Sequence, residues 1–242
     1  MRAWLYAAVM FGIAAAVYAA TLRPGQDWGG DFAQYVQHAR NLATGRPYLE
    51  TKFEHALADA TNHMPASYPP VFPALLAPVY ATWGLNYTAL KLVPQLMFLL
   101  SALALFALFR EMGATPLRAA FASGTVPLSG LALAAKDQVL SDSTYLFFAT
   151  LALLAMIRMR QSAPVRSALL VALPVILAYA SRAIGISLIG AVLLYALWRD
   201  RKSWIYTSIV VGLFGVALAI LTVTLYDSRA YQSQFPIDIR AY

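Results

Sequence analysis

Two phrases in this chain have residue types and spacing suited to chemistry: Gly29-Gly30-Asp31-Phe32-Ala33-Gln34-Tyr35 and Tyr68-Pro69-Pro70-Val71-Phe72-Pro73. Both lie in residues 23–90, a polar insert that holds five of the eleven carboxylates, all three histidines and seven of the thirteen prolines. Asp31 follows the first apolar run by about ten residues. A carboxylate held there, beside a low-dielectric phase, can serve as general base for an acceptor hydroxyl. It can equally N-cap the helix that follows, and the two roles are compatible because a cap leaves one oxygen free. Gly29 and Gly30 suit a tight turn with close backbone approach. The prolines after Tyr68 preset an extended approach and then a helix start; direct substrate contact by Tyr68 is the other reading.

Three further positions have the same double character. Lys136-Asp137-Gln138…Ser141-Asp142 is either a solvated loop with Asp142 capping the next helix, or a second polar wall of the same cavity. Tyr35, Tyr68, Lys136, Asp137 and Asp142 are therefore the expected cavity lining. Arg182 divides two short apolar runs, and an ionisable residue so placed is a functional candidate by default. Its planar fork matches a phosphate bidentately. His63, with Glu54 or Asp59, is a weak candidate for binding a divalent metal, and a surface histidine is the plainer reading; a metal cofactor is possible but no ligand cluster demands one.

The elements that must position these residues are helical and apolar. The chain has 60% hydrophobic and 12% charged residues, with mean hydropathy +0.62, where a soluble domain carries roughly 25% charge. The expected fold is an all-α polytopic membrane protein of about seven transmembrane helices with a large first outer loop carrying interfacial amphipathic helices. The expected spans are residues 4–21, 92–109, 119–135, 144–157, 167–181, 183–198 and 204–226, with an outer tail at 227–242, all in one membrane domain. A bilayer crossing needs about 20 residues, so the short middle runs predict tilted, kinked or re-entrant helices. Inside the insert, Phe32, Tyr35, Val36, Ala39, Leu42 and Ala43 form an i, i+3, i+4, i+7 stripe ending at Gly45. It predicts a helix lying apolar face down on the membrane. Val71–Trp83, interrupted by Pro73 and Pro78, predicts a second interfacial helix.

The net charge of +7 does not point to nucleic acid, because its distribution follows topology. Arg110 and Arg118, Arg158, Arg160 and Arg166, and Arg199, Arg201 and Lys202 fall in alternate connections, the positive-inside pattern. It places the N-terminus in the cytoplasm and both the 23–90 loop and the tail outside. The chain contains no cysteine, which excludes disulfides and thiolate metal sites. The first run, long and preceded only by Arg2, reads as a retained signal anchor.

Gly30-Asp31, Tyr35, Ala39, Leu42, Gly45, Pro47-Tyr48 and the Tyr68 to Pro78 phrase, with Ser141-Asp142 before one apolar run and Ser181-Arg182 after another, together resemble the GT-C superfamily of membrane glycosyltransferases. The likeness is to its protein-mannosyltransferase and aminoarabinose-transferase-like branch. The resemblance implies transfer of a sugar from a polyprenyl-phosphate donor to a lipid, glycan or protein acceptor on the outer side of the membrane. It implies Asp31 as the acidic catalytic residue, Arg182 on the donor phosphate, and inversion at the anomeric carbon. Since the sequence stops just after the seventh run, the family's N-terminal module alone is one expectation. A catalytically silent or truncated subunit binding lipid or a partner is another. A transporter or flippase is a third, although no repeat or mid-span carboxylate supports it.

Overall fold

The computed structural model describes residues 2–26, 31–50, 68–159, 164–199 and 203–224. Among them the secondary structure is entirely helical, with no strand. In chain order the helices are α1 (Arg2–Ala20), α2 (Phe32–Thr44), α3 (Val71–Trp83), α4 (Tyr87–Glu111), α5 (Pro116–Thr125) and α6 (Gly130–Ala135). Then come α7 (Asp142–Ile157), α8 (Pro164–Tyr179), a 3-10 turn at Ala183–Ile186, α9 (Ser187–Arg199) and α10 (Ser203–Thr224). Two helices are long and apolar enough to cross a membrane, at Tyr87–Glu111 and Trp204–Val223. The remaining apolar helices are shorter.

The packing runs as a chain of neighbours: α1 on α5, α5 on α4, α4 on α7, α7 on α8 and α8 on α10. Small residues let these helices approach, as at Ala119 and Ala120 against Ala7 and Phe106, and at Ala152, Ala168 and Ala172 beside Val171 and Phe214. Such close contact is how apolar helices associate where water supplies no driving force.

Helix α2 starts and stops where its sequence predicts. Gly45 takes a left-handed φ of 67°, and its N–H and the next residue's close the helix on Leu42 and Asn41 carbonyls. Its apolar stripe has a different partner from the expected lipid surface. Phe32, Tyr35, Val36 and Ala39 are buried with Phe72 and Leu76 of α3, Leu90 and Val93 of α4, and Val139. Only Leu42, at the far end, stays substantially exposed. The stripe marks which face is buried, and protein rather than lipid covers it.

Two expected continuous runs are interrupted. Residues 119–135 divide into α5 and α6 around Pro127, which has no N–H for a helical bond. The carbonyl of Pro127 accepts from the Tyr18 hydroxyl at 2.8 Å, and Ser129 caps α6 by accepting from Ala132 N at 3.3 Å. Residues 183–198 open as a 3-10 turn because Gly185 lies against the end of α8. A Cβ there would come within 2.5 Å of Tyr179 N.

Candidate functional site

Four segments distant in sequence meet at the phenol of Tyr35. Tyr35 sits one turn into α2 and is 2% exposed. Its hydroxyl is 2.8 Å from Ser141 Oγ, at the N-terminus of α7. Its ring lies 4.7 Å from that of Tyr68 and edge-on to Phe72 at 5.0 Å. Burial pushes the Tyr35 pKa well up; the Ser141 hydrogen bond opposes this, Asp31 adds to it, Arg182 opposes it and Asp142 adds to it. Tyr35 therefore stays a neutral phenol at physiological pH. Asp31, Arg182 and Asp142 all act electrostatically on this one hydroxyl, which gathers three of the sequence-derived residues into one neighbourhood.

Asp31 occupies the N-cap position of α2, with its backbone carbonyl accepting from Gln34 N at 3.2 Å and Tyr35 N at 3.3 Å. Its side chain makes no capping bond. The reason is its backbone, with ψ near 1° instead of the extended value that aims a cap side chain at the first-turn amides. Among the described residues the carboxylate has no hydrogen-bond or ion-pair partner, and the residue is half-buried. Of the two readings, Asp31 has the position of a cap without the bond. Asp142 likewise does not cap α7: Ser141 takes that position, and Asp142 is the first helical residue.

Arg182 follows α8, and its backbone is tied at both ends. Its N–H donates to Ala178 O at 3.0 Å and its carbonyl accepts from Gly185 N at 2.9 Å. The guanidinium donates to the Asp142 carboxylate, joining the end of α8 to the start of α7. Val71 N donates to Ala180 O at 2.8 Å, so the proline approach docks on the strip of backbone that carries Arg182. Among the described residues Ser143 Oγ and Thr144 Oγ1, buried in the first turn of α7, have no hydrogen-bond partner.

The backbone of Tyr68 is held through both its carbonyl and its N–H. Its carbonyl accepts from the Tyr48 hydroxyl at 2.6 Å and its N–H donates to His38 Nε2 at 3.4 Å. His38 Nδ1 lies 2.9 Å from Tyr48 O, and the two rings stack at 4.3 Å. Both ring nitrogens are thus committed, one donating and one accepting, in a neutral imidazole. Burial holds the His38 pKa below the ordinary histidine range, with the Tyr48 carbonyl opposing it in part. His38 carried no signal of its own in the sequence beyond its place among the buried positions of α2.

Lys136 and Asp137 belong to a separate buried cluster at the end of α1. Lys136 Nζ donates to Thr21 O at 2.9 Å and to Asp137 Oδ2 at 2.8 Å. Asp137 Oδ1 accepts from Arg23 N at 3.2 Å, and Lys91 Nζ donates to Arg23 O at 3.0 Å. The cluster clamps the chain as it leaves α1 toward Asp31. Lys91 carries no such signal in the sequence, because it stands at the very edge of an apolar run. Gly29, Gly30, Asp27, Glu54, Asp59 and His63 lie outside the described residues, and so does the metal reading of His63. Among the described residues no group of three potential ligands converges.

No curated protein and no solved structure matches the chain. A family model does, that of dolichyl-phosphate-mannose-protein mannosyltransferases, over residues 67–226. That span includes Tyr68, Ser141, Asp142 and Arg182, and excludes α2 with Asp31 and Tyr35. It covers about two thirds of the sequence, and it agrees with the resemblance that the motifs carry. The chain belongs to the dolichyl-phosphate-mannose-protein mannosyltransferase family, membrane glycosyltransferases of the GT-C type.

Proposed function

We propose that this protein transfers a sugar from a polyprenyl-phosphate donor to an acceptor hydroxyl on the outer side of the membrane. Seven spans carry the site: α1, α4, the broken pair α5–α6, α7, α8, α9 and α10. Helices α2 and α3 lie outside, and the N-terminus is cytoplasmic. Asp31 takes the proton of the acceptor hydroxyl as its oxygen bonds to the anomeric carbon. The bond from that carbon to the phosphate oxygen breaks, and its electron pair leaves with the lipid phosphate. Arg182 stabilises the negative charge that develops there. Attack opposite the leaving phosphate inverts the anomeric configuration. Tyr35, kept neutral, orients the polar groups around it, and Tyr68 packs on its ring as one wall of the cavity.

The observation that supports this reading is the company kept by the Tyr35 hydroxyl. A carboxylate without a partner among the described residues and a guanidinium suited to phosphate approach it from different segments. A negative and a positive group near one hydroxyl is what such a transfer calls for, and this supports the reading. The test uses membranes containing the full chain, supplied with labelled polyprenyl-phosphate hexoses and pentoses. Asp31→Asn is expected to lower transfer by about 10²–10⁴-fold, the usual contribution of a general base, at unchanged expression. Turnover equal to the unmodified protein would remove Asp31 from catalysis.

A further inference from the structure

The guanidinium assigned to the donor phosphate already holds an anion, the Asp142 carboxylate. We propose that Asp142 is an exchangeable internal counter-ion: it occupies Arg182 in the empty site, gives way to the lipid phosphate, and by competing for Arg182 limits how long that phosphate stays. The inference rests on the phosphate-binding role of Arg182 and adds a role for Asp142 in regulating occupancy of the same site.

Three observations carry it. The pair is partly solvated, with side-chain exposures of 35% for Arg182 and 52% for Asp142. Ion pairs in such settings are weak and exchange readily, unlike the buried Lys136–Asp137 pair at 2% and 9%. The fold does not depend on the contact, because each partner is fixed through its own backbone. Arg182 is anchored at Ala178 and Gly185, and α7 begins with Tyr145 N on Ser141 O at 2.9 Å. Opening the pair therefore swings two side chains and moves no helix. Finally, Asp142 is the only acidic residue in the first turn of α7, and the Ser141 side chain makes no capping bond to that turn. The positive end of a 16-residue helix and Arg182 together make a locus that favours an anion. Asp142 supplies that anion.

The charge of the ligand changes during the reaction, and this gives the counter-ion a use. The donor is a phosphodiester with a single negative charge. The product is a phosphomonoester, which carries between one and a half and two negative charges near pH 7. The product therefore binds an isolated guanidinium more tightly than the donor does. A carboxylate that is always at hand to replace it offsets this and speeds release.

The test measures binding of a short-chain polyprenyl phosphate to the full chain in detergent, for the unmodified protein and for Asp142→Asn, Asp142→Ser, Arg182→Gln and the double variant D142N/R182Q. Both Asp142 variants are expected to bind about three- to tenfold more tightly, from loss of one nearby negative charge at moderate dielectric. Serine there also suits a helix start, so the pair of variants separates charge from folding. Inorganic phosphate should gain by a similar factor, since Asp142 meets the headgroup only. A gain for the lipid and none for inorganic phosphate would overturn the proposal, as would unchanged or weaker lipid binding in both Asp142 variants while Arg182→Gln still abolishes it. A gain that persists in the double variant would overturn it too, because the effect would then bypass Arg182. If Arg182→Gln binds as tightly as the unmodified protein, it is the assignment of Arg182 itself that fails, whatever Asp142 does.

Discussion

Replacing Lys136 by methionine tests how the segment leading to Asp31 is held. The Lys136 and Asp137 side chains are only 2% and 9% exposed. The substitution keeps most of the side-chain volume but removes two hydrogen bonds, to Thr21 O and to Asp137 Oδ2. Asp137 is left with the Arg23 N–H at 3.2 Å and the Arg23 guanidinium, a largely exposed group 4.0 Å away. Stranding one partner of a buried pair costs about 3–5 kcal/mol, and the remaining Arg23 contacts favour the low end of that range. About 3 kcal/mol corresponds to roughly a 100-fold rise in local opening. The chain has no cysteine, so Val139→Cys, at a position with 0% exposure, would be its sole thiol and would report opening through its rate of maleimide labelling. Adding Asp137→Asn to Lys136→Met should recover most of the loss, because removing both charges leaves no orphan. A rise in labelling below about threefold, or a double variant as open as the single one, would show that water already serves this cluster and that it clamps nothing.

Two other perturbations bear on the frame around the site. His38 has a folded-state pKa below its ordinary value near 6.5, so the unfolded chain takes up the proton more readily. Stability from this residue is fully present above about pH 6.5 and falls as pH drops toward the lower folded pKa. Thermal midpoints should therefore decline on acidification and do so less in His38→Gln; a midpoint that rises toward pH 5 would contradict the neutral imidazole. Gly185→Ala would place a Cβ 2.5–2.7 Å from backbone atoms of Tyr179 and Ala178. The 3-10 turn must then move, at a cost of about 1–3 kcal/mol, and weaker phosphate binding at Arg182 should accompany it. Gly190→Ala, where nothing lies within 4 Å, should leave both the unfolding midpoint and phosphate binding nearly unchanged.

Much of the fold is legible in the sequence, for reasons that are local. Apolar runs and Gly45 fix most helix limits, because hydropathy and a left-handed turn residue act within a few positions. What periodicity cannot show is which surface covers an apolar face, so the α2 stripe reads as lipid-facing although α3 and α4 cover it. The candidate site is legible only as a set of polar residues that flank the apolar runs. Its division is not. Asp31, Asp142 and Arg182 collect at Tyr35, while Lys136 and Asp137, only a few residues before Asp142, turn to Thr21 and Arg23. Adjacent positions in a loop face different neighbours according to backbone dihedrals that no spacing rule encodes. His38 is hidden for the opposite reason, since its role depends on two backbone groups, at Tyr48 and Tyr68, whose side chains say nothing of it.

The bond from Val71 N to Ala180 O has a consequence for the order of events at birth. The two residues are separated by roughly a hundred positions, as are Tyr35 and Ser141. At about 5–20 residues per second, the segment bearing Asp31 and Tyr68 exists for several seconds to some twenty seconds before the backbone that anchors it has been made. During that interval α2 and α3 have no Arg182 and no docking strip, and Asp142 arrives only part-way through it. The nascent protein therefore carries α2 and α3 before the backbone on which α3 docks, and the neighbourhood of Tyr35 is completed only when α8 takes its place.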